Sequence, residues 1–230
     1  MKKEFTLRIS MATVLSLIAL AAVSFAFYRF PGLDEFLARQ LYLGHGKFLL
    51  SDSKLAEFFH GPVDMVLKLG FLVSFVVYLG LCAVRFKIAP ELHRKLIFVF
   101  STVFISELVI VNWLLKNHWG RARPVQLGEF GSNTGAHFTP AWQKVHECMT
   151  NCSFSSGHAG IAACVGLLAV FLPPRWRPLY LVLTLIFVVV VDFMRMARGA
   201  HYLSDVVVSP LIVLATAMVV KDLLRLRTHS

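Results

Sequence analysis

The sequence predicts an all-α integral membrane protein, a bundle of about six transmembrane helices forming one domain over residues 1–230. Three observations carry this. Hydrophobic residues make up 57% of the chain and charged ones 16%, where soluble domains average about 25% charged. The mean hydropathy is +0.68. The apolar residues also come in long runs and not in amphipathic alternation, which points to spans and away from soluble helices.

A helix crosses a bilayer with roughly 20 apolar residues. Suitable runs lie near Leu7–Phe27, Asp64–Val84, Leu96–Leu115, Ala159–Leu172, Leu179–Met196 and Tyr202–Val220. The fourth is short, but its polar start, Ser155–His158, can sit at the interface. Pro173 and Pro174 stop it on the other side. The first run also has signal-peptide features: Lys2 and Lys3 ahead of it, and the small residues Ala21, Ala22 and Ser24. Its length favours a retained helix, and either reading leaves the N-terminus in the cytoplasm.

Loop length sets the orientation. Lys2, Lys3 and Arg8, then Arg85, Lys87, Arg94 and Lys95, then Arg175 and Arg177, then Lys221, Arg225 and Arg227 mark one set of span ends. These sit in very short connections, where the positive-inside bias acts most strongly, so both termini are expected in the cytoplasm. The longer loops then face outward. In the outer segment 29–63, Leu33, Leu37 and Leu41 recur at helical spacing, followed by Leu55, Phe58 and Phe59. That pattern suits helices lying in the interface, with a packing or lipid-facing role and no chemistry.

The formal charge is +10. A nucleic-acid surface would need clustered cations on a folded face; here they lie between apolar runs and inside polar motifs, so no nucleic-acid partner is expected. Cys82 and Cys164 fall within apolar runs and are expected to be buried thiols. Cys148 and Cys152 share a polar loop, as two unrelated thiols or as a local disulfide if that loop meets an oxidising compartment. No further Cys/His pair stands beside them, so no metal site is expected there.

Three polar groups stand out, all at outward-facing ends. The first runs from Lys116 to Arg123 and Pro124. Lys116 and Arg123 are seven apart, about two turns if helical, and Pro124 biases Arg123 out of helix. The second, Ser155-Ser156-Gly157-His158, opens the fourth run. Free N–H groups and the helix dipole there favour an anion, and Gly157 lets the backbone approach it closely. The third runs from Arg195 through His201 to Asp205. His201 and Asp205 are four apart on one helix face, so the carboxylate can accept the second N–H of the imidazole. Three cations, two histidines, a His–Asp pair and a helix N-terminus on one side converge on a phosphate site.

These groups resemble the signature of the phosphatidic acid phosphatase type 2 superfamily: Lys-x6-Arg-Pro, Pro-Ser-Gly-His and Ser-Arg-x5-His-x3-Asp. The matching residues are Lys116, Arg123 and Pro124; Ser156, Gly157 and His158; Arg195, His201 and Asp205. Ser155 replaces the motif Pro, where it could serve as an N-cap, and Met194 replaces the Ser before Arg195. The resemblance implies a lipid phosphatase without cofactor or metal. His201 would attack phosphorus to form a phosphohistidine, oriented by Asp205, and His158 would be the general acid and then the base. Lys116, Arg123, Arg195, Ser156 and the Gly157 backbone would hold the phosphoryl oxygens.

Among the remaining polar residues, Asp192 is expected to orient Arg195, while Glu107 is a functional candidate because it lies within a span. Arg121, Arg198 and His118 are expected to touch substrate or line the rim. The loop Val125–Phe154 is similar to bacterial lipid A phosphatases at Phe138-Thr-Pro-Ala-Trp142, Cys148 and Asn151–Phe154. That likeness implies a membrane lipid substrate, lipid A at its 1- or 4′-phosphate, at the outer face of a bacterial inner membrane. Undecaprenyl diphosphate and phosphatidylglycerophosphate are alternatives, as is phosphoryl transfer to a second lipid. A vanadate haloperoxidase would be soluble, and an anion transporter would leave the His–Asp pair without a purpose. The oligomeric state is left open.

Overall fold

A computed structural model describes residues 9–224. Helix α1 (Met11–Arg29) is followed by the short α2 (Gly32–Gln40) and a small antiparallel hairpin of β1 (Tyr42–Gly44) and β2 (Lys47–Phe48). Then come α3 (Lys54–Ala83), α4 (Pro90–Lys116), α5 (Gly157–Phe171), α6 (Pro174–Ala197) and α7 (Leu203–Leu223). Five of these, α1, α3, α4, α6 and α7, are long and apolar enough to cross a membrane; α5 is apolar but shorter.

The bundle is built around α7. Of its most apolar window 56% is buried, against 6% for α3, which turns Val66, Val73 and Val77 outward. Lipid tails are as apolar as those side chains, so their exposure carries no hydrophobic penalty in a bilayer. The interior between α4, α5 and α7 holds Phe98, Val99, Ile161, Cys164, Val213 and Ala217. Small residues let the backbones close up, as at Gly160, where a Cβ would fall 2.0 Å from the Glu107 carboxyl. At the end of α7 away from its N-terminus, Asp222 accepts from the Ser10 N–H at 2.7 Å and from the Thr13 hydroxyl at 2.6 Å. The first and last spans are thereby tied together.

Several sequence expectations shift. Leu7 and Arg8 of the first run, with Lys2, Lys3, Arg225 and Arg227, lie outside the described residues. The second span begins ten residues early, at Lys54 instead of Asp64. It absorbs Leu55, Phe58 and Phe59 through a wide π-turn at Phe59–Val63, around Pro62, whose missing N–H breaks the ordinary ladder. Those residues therefore belong to a spanning helix and not to a separate interfacial one. Cys82 is exposed on the bundle surface and not buried; Cys164 is buried, and Cys148 and Cys152 are disulfide-bonded.

Above the site end, the rings of Tyr42, Phe48 and Phe130 pack at steep tilts with centroids 5.0–5.3 Å apart. The hairpin presses onto the turn between α6 and α7: Leu50 N–H donates to the Ala197 carbonyl at 2.7 Å. At Gly199, φ is +66° and a Cβ would lie 2.5 Å from the Phe48 ring, so both backbone and packing demand glycine. That turn carries His201.

Candidate active site

The turn after α6 places His201 between two spans, 1% exposed. Its Nδ1 donates to the Ser153 carbonyl at 2.9 Å, while Asp205 Oδ2 stands off at 3.5 Å. This departs from the expected His–Asp bond. The Asp205 carboxylate is engaged elsewhere, by the Arg121 guanidinium at 2.7 Å, the Tyr202 N–H at 2.8 Å and the Ser153 hydroxyl. The tautomer that donates from Nδ1 leaves Nε2 bare, and Nε2 is buried with no protein partner. Burial, then Arg195, Lys116 and Arg123, hold the His201 pKa well below the ordinary imidazole value. The ring is a neutral base facing cations.

Those cations come from three elements. Lys116 ends α4, with Nζ over Gly157: a Cβ there would meet it at 3.3 Å and Asn112 at 3.2 Å. Glycine is thus what lets the ammonium and the start of α5 share one spot. Arg123 lies past a left-handed turn at Gly120 (φ +74°), in the extended backbone that Pro124 after it favours. Its Nη2 donates to the Asn151 carbonyl at 2.8 Å and side chain at 3.1 Å, inside the loop closed by Cys148–Cys152. Arg195, 4% exposed, comes from the last turn of α6, with Nε buried and unpartnered.

Ser156 caps α5, its hydroxyl accepting from Ala159 N–H at 3.4 Å while its own N–H donates to the Asp205 carbonyl at 3.1 Å. The N-cap is therefore Ser156 and not Ser155, whose hydroxyl is buried without a partner. His158 follows within the first turn. Its Nε2 is 2.9 Å from His60 Nδ1, 3.2 Å from the His60 carbonyl and 3.6 Å from Asp64 Oδ1.

Four residues that the sequence reading gave no such part hold this arrangement. His60, from a segment assigned no chemistry, touches both His158 and Arg195. Arg121, expected to touch substrate or line the rim, is fully buried and bridges Asp34, Asp205, Ser204 and the Thr139 carbonyl, with its guanidinium 4.1 Å from the Tyr202 ring. Burial disfavours its charge, but Asp205 and Asp34 outweigh that and raise its pKa. Asp34 lies on α2, and Ser153 supplies the imidazole's acceptor. No Asp192–Arg195 ion pair forms among the described residues; Asp192 Oδ1 is buried without a partner, and Arg195 turns to His60 instead. His118 is exposed and contacts the Trp113 carbonyl.

The family model of the PAP2 superfamily matches residues 94–228, more than half the chain. The chain belongs to the PAP2 superfamily. Curated relatives include a lipid A 4′-phosphatase of Rhizobium etli, 30% identical over 85% of this chain and 82% of that protein. Lipid A 4′-phosphatases of Rhizobium leguminosarum and Francisella tularensis subsp. novicida are 36% and 33% identical, over 57% and 61% of this chain. The chain spans 57% and 62% of those two proteins' lengths. Among solved structures, a transmembrane PAP2 phosphatidylglycerolphosphate phosphatase from Bacillus subtilis superposes with a TM-score of 0.57. It covers 96% of this chain at 17% identity, a likeness of fold. The PAP2 match begins at residue 94, so it contains all three motif groups but neither His60 nor Asp34.

Proposed function

We propose that the protein is a metal-independent membrane lipid phosphatase that removes the 4′-phosphate of lipid A through a phosphohistidine on His201. The observation that carries the chemistry is the bare, buried Nε2 of His201, set among Lys116, Arg123 and Arg195. The curated relatives carry the choice of lipid and of position.

The placement supports the following reaction. Nε2 attacks phosphorus in line; the P–N bond forms as the P–O bond to the sugar breaks. Nδ1–H stays on the Ser153 carbonyl, and Asp205 at 3.5 Å balances the imidazolium that results. His158 protonates the leaving oxygen and then takes a proton from the water that frees the phosphate. Lys116, Arg123, Arg195 and the N–H groups opening α5 meet the three equatorial oxygens, where charge gathers.

The site opens to the periplasm in this reading. The Cys148–Cys152 disulfide suits an oxidising compartment. Short connections at the other end, with Arg85, Lys87, Arg175 and Arg177, suit the cytoplasm.

The test is phosphate release by the pure protein in detergent, across lipid A, undecaprenyl diphosphate and phosphatidylglycerophosphate. Lipid A should lose its 4′-phosphate, in EDTA as well as without it, and vanadate should block turnover. His201→Ala should abolish activity and His158→Ala nearly so, about 100-fold or more. Wild-type turnover by His201→Ala would refute the phosphohistidine; a preference for another lipid would refute the substrate alone.

A further inference from the structure

His158 has two nitrogens, and their surroundings differ. Nδ1 is buried with no protein partner. Nε2 faces α3, with His60 Nδ1 at 2.9 Å, the His60 carbonyl at 3.2 Å and Asp64 Oδ1 at 3.6 Å. The two rings lie 4.8 Å apart and 32° from parallel. All three neighbours of Nε2 come from the π-turn and the turn after it.

The direction of the bonds is fixed by Arg195. Its Nη1 approaches His60 Nδ1 at 2.7 Å, and a guanidinium can only donate. His60 Nδ1 is therefore an acceptor, so the proton between the histidines belongs to His158 Nε2. With Nε2–H directed at His60, the nitrogen left to exchange a proton with substrate is Nδ1, the one without a protein partner.

We infer that His60 is a positioning residue for the proposed general acid: it accepts the Nε2–H of His158 and so commits Nδ1–H to the leaving oxygen. This rests on the phosphatase reading given above. In the step, the Nδ1 proton passes to the leaving oxygen as the P–O bond breaks, and His158 becomes neutral. Nε2 keeps its proton throughout, held by His60. Asp64, whose other oxygen pairs with Lys68 at 2.6 Å, lies beside the same N–H, with Oδ1 3.6 Å from Nε2.

The consequence is a dependence on the leaving group. A sugar or alkyl oxygen leaves poorly and needs the acid; nitrophenolate leaves without it. The experiment compares an acyl-chain alkyl phosphate with a nitrophenyl phosphate bearing the same chain, and follows the first phosphoryl transfer in single turnover. His60→Ala should slow the alkyl substrate by about 10- to 100-fold, within the range general-acid catalysis contributes, and leave the nitrophenolate burst little changed. His60→Asn, with an amide oxygen where Nδ1 stood, should recover most of the loss. His60→Gln keeps the bulk but displaces the acceptor, and serves if the alanine variant is not monodisperse; it should show the same selective loss. An equal loss on both substrates would overturn the inference, since His60 would then matter only through Arg195; so would no loss at all. If the wild-type protein releases no phosphate while remaining folded, it is the phosphatase reading that fails.

Discussion

His201 illustrates how a single residue's chemistry is set by what lies behind it. It is buried among cations, so the charged form is disfavoured in the folded protein, although the bond from Nδ1 to a main-chain carbonyl works the other way. The sign follows by linkage: a depressed folded pKa means the unfolded chain binds more protons, so this contribution is full above the unfolded value and lost as pH falls below it. The thermal midpoint in detergent should drop as pH is lowered past about 6.5. His201→Gln, which cannot titrate, should drop less; parallel curves would show the imidazole to be solvated. Arg121 sits at the opposite extreme, a side chain held by four acceptors at 0% exposure. Arg121→Met would leave Asp34 and Asp205 buried with no counter-charge, at a cost of about 3–5 kcal/mol. At roughly 2–4 °C per kcal/mol for a chain of this size, the melt should fall by several degrees or more. Arg121→Lys should fail to restore it, because one ammonium cannot span the fork. An unchanged melting temperature would refute this account. Neither Arg121 nor Asp34 was legible in the sequence, since one more Arg in a basic motif and one Asp on an amphipathic turn look like rim charges. The partner that buries them is 87 residues away in the chain.

At the scale of elements, the spans were readable because a bilayer imposes a length and a composition that few other environments demand. Their ends were not. Lys54–Val63 carries Glu57, His60, Gly61 and Pro62, which read as a loop or a surface helix, yet a π-turn carries the helix through them. That one misplaced boundary concealed His60, because a residue taken to lie outside the bundle cannot be assigned to the site. The three motif groups were legible by contrast. Each sits at a helix end, where the sequence switches abruptly from apolar to polar and the spacing is local. What local spacing could not supply was the loop between them. Residues 125–154 contain only short helical turns, closed by Trp119, Trp142 and Phe154 packing at 4.8–6.2 Å and by one disulfide. Through Asn151 and Ser153 that loop holds both Arg123 and His201. The proposed sidedness makes this loop the informative one. Reporter fusions within 125–154 should signal outside the cytoplasm, and fusions after Val84 or Pro173 inside it. A cytoplasmic signal from the 125–154 loop would reverse the orientation.

At the scale of the whole molecule, the reacting groups gather at one end of the bundle while the first and last helices are pinned together at the other. The walls between are lipid-facing: α1 and α3 expose Leu15, Ile18, Val66 and Val73 to where acyl chains would lie. In the proposed reaction a substrate anchored in the membrane would keep its chains in the bilayer beside these walls, with its phosphate at the level of Lys116 and Arg195. A disaccharide headgroup would extend beyond that point, toward α2, the hairpin and the 125–154 loop, which together roof the site. The proposed lipid A activity then makes a cellular prediction. Producing the protein in a Gram-negative host whose lipid A carries both phosphates should yield lipid A lacking the one at the 4′-position, seen by mass spectrometry. The His201→Ala protein, made at the same level, should leave it intact. Removing a phosphate lowers the negative surface charge that attracts cationic peptides, at about 1 kcal/mol per Lys or Arg brought near an anionic surface. Cells making the active enzyme should accordingly survive higher concentrations of a polycationic peptide. Lipid A that keeps both phosphates, made in a host where the pure protein is shown to hydrolyse undecaprenyl diphosphate, would retain the phosphatase and discard the substrate.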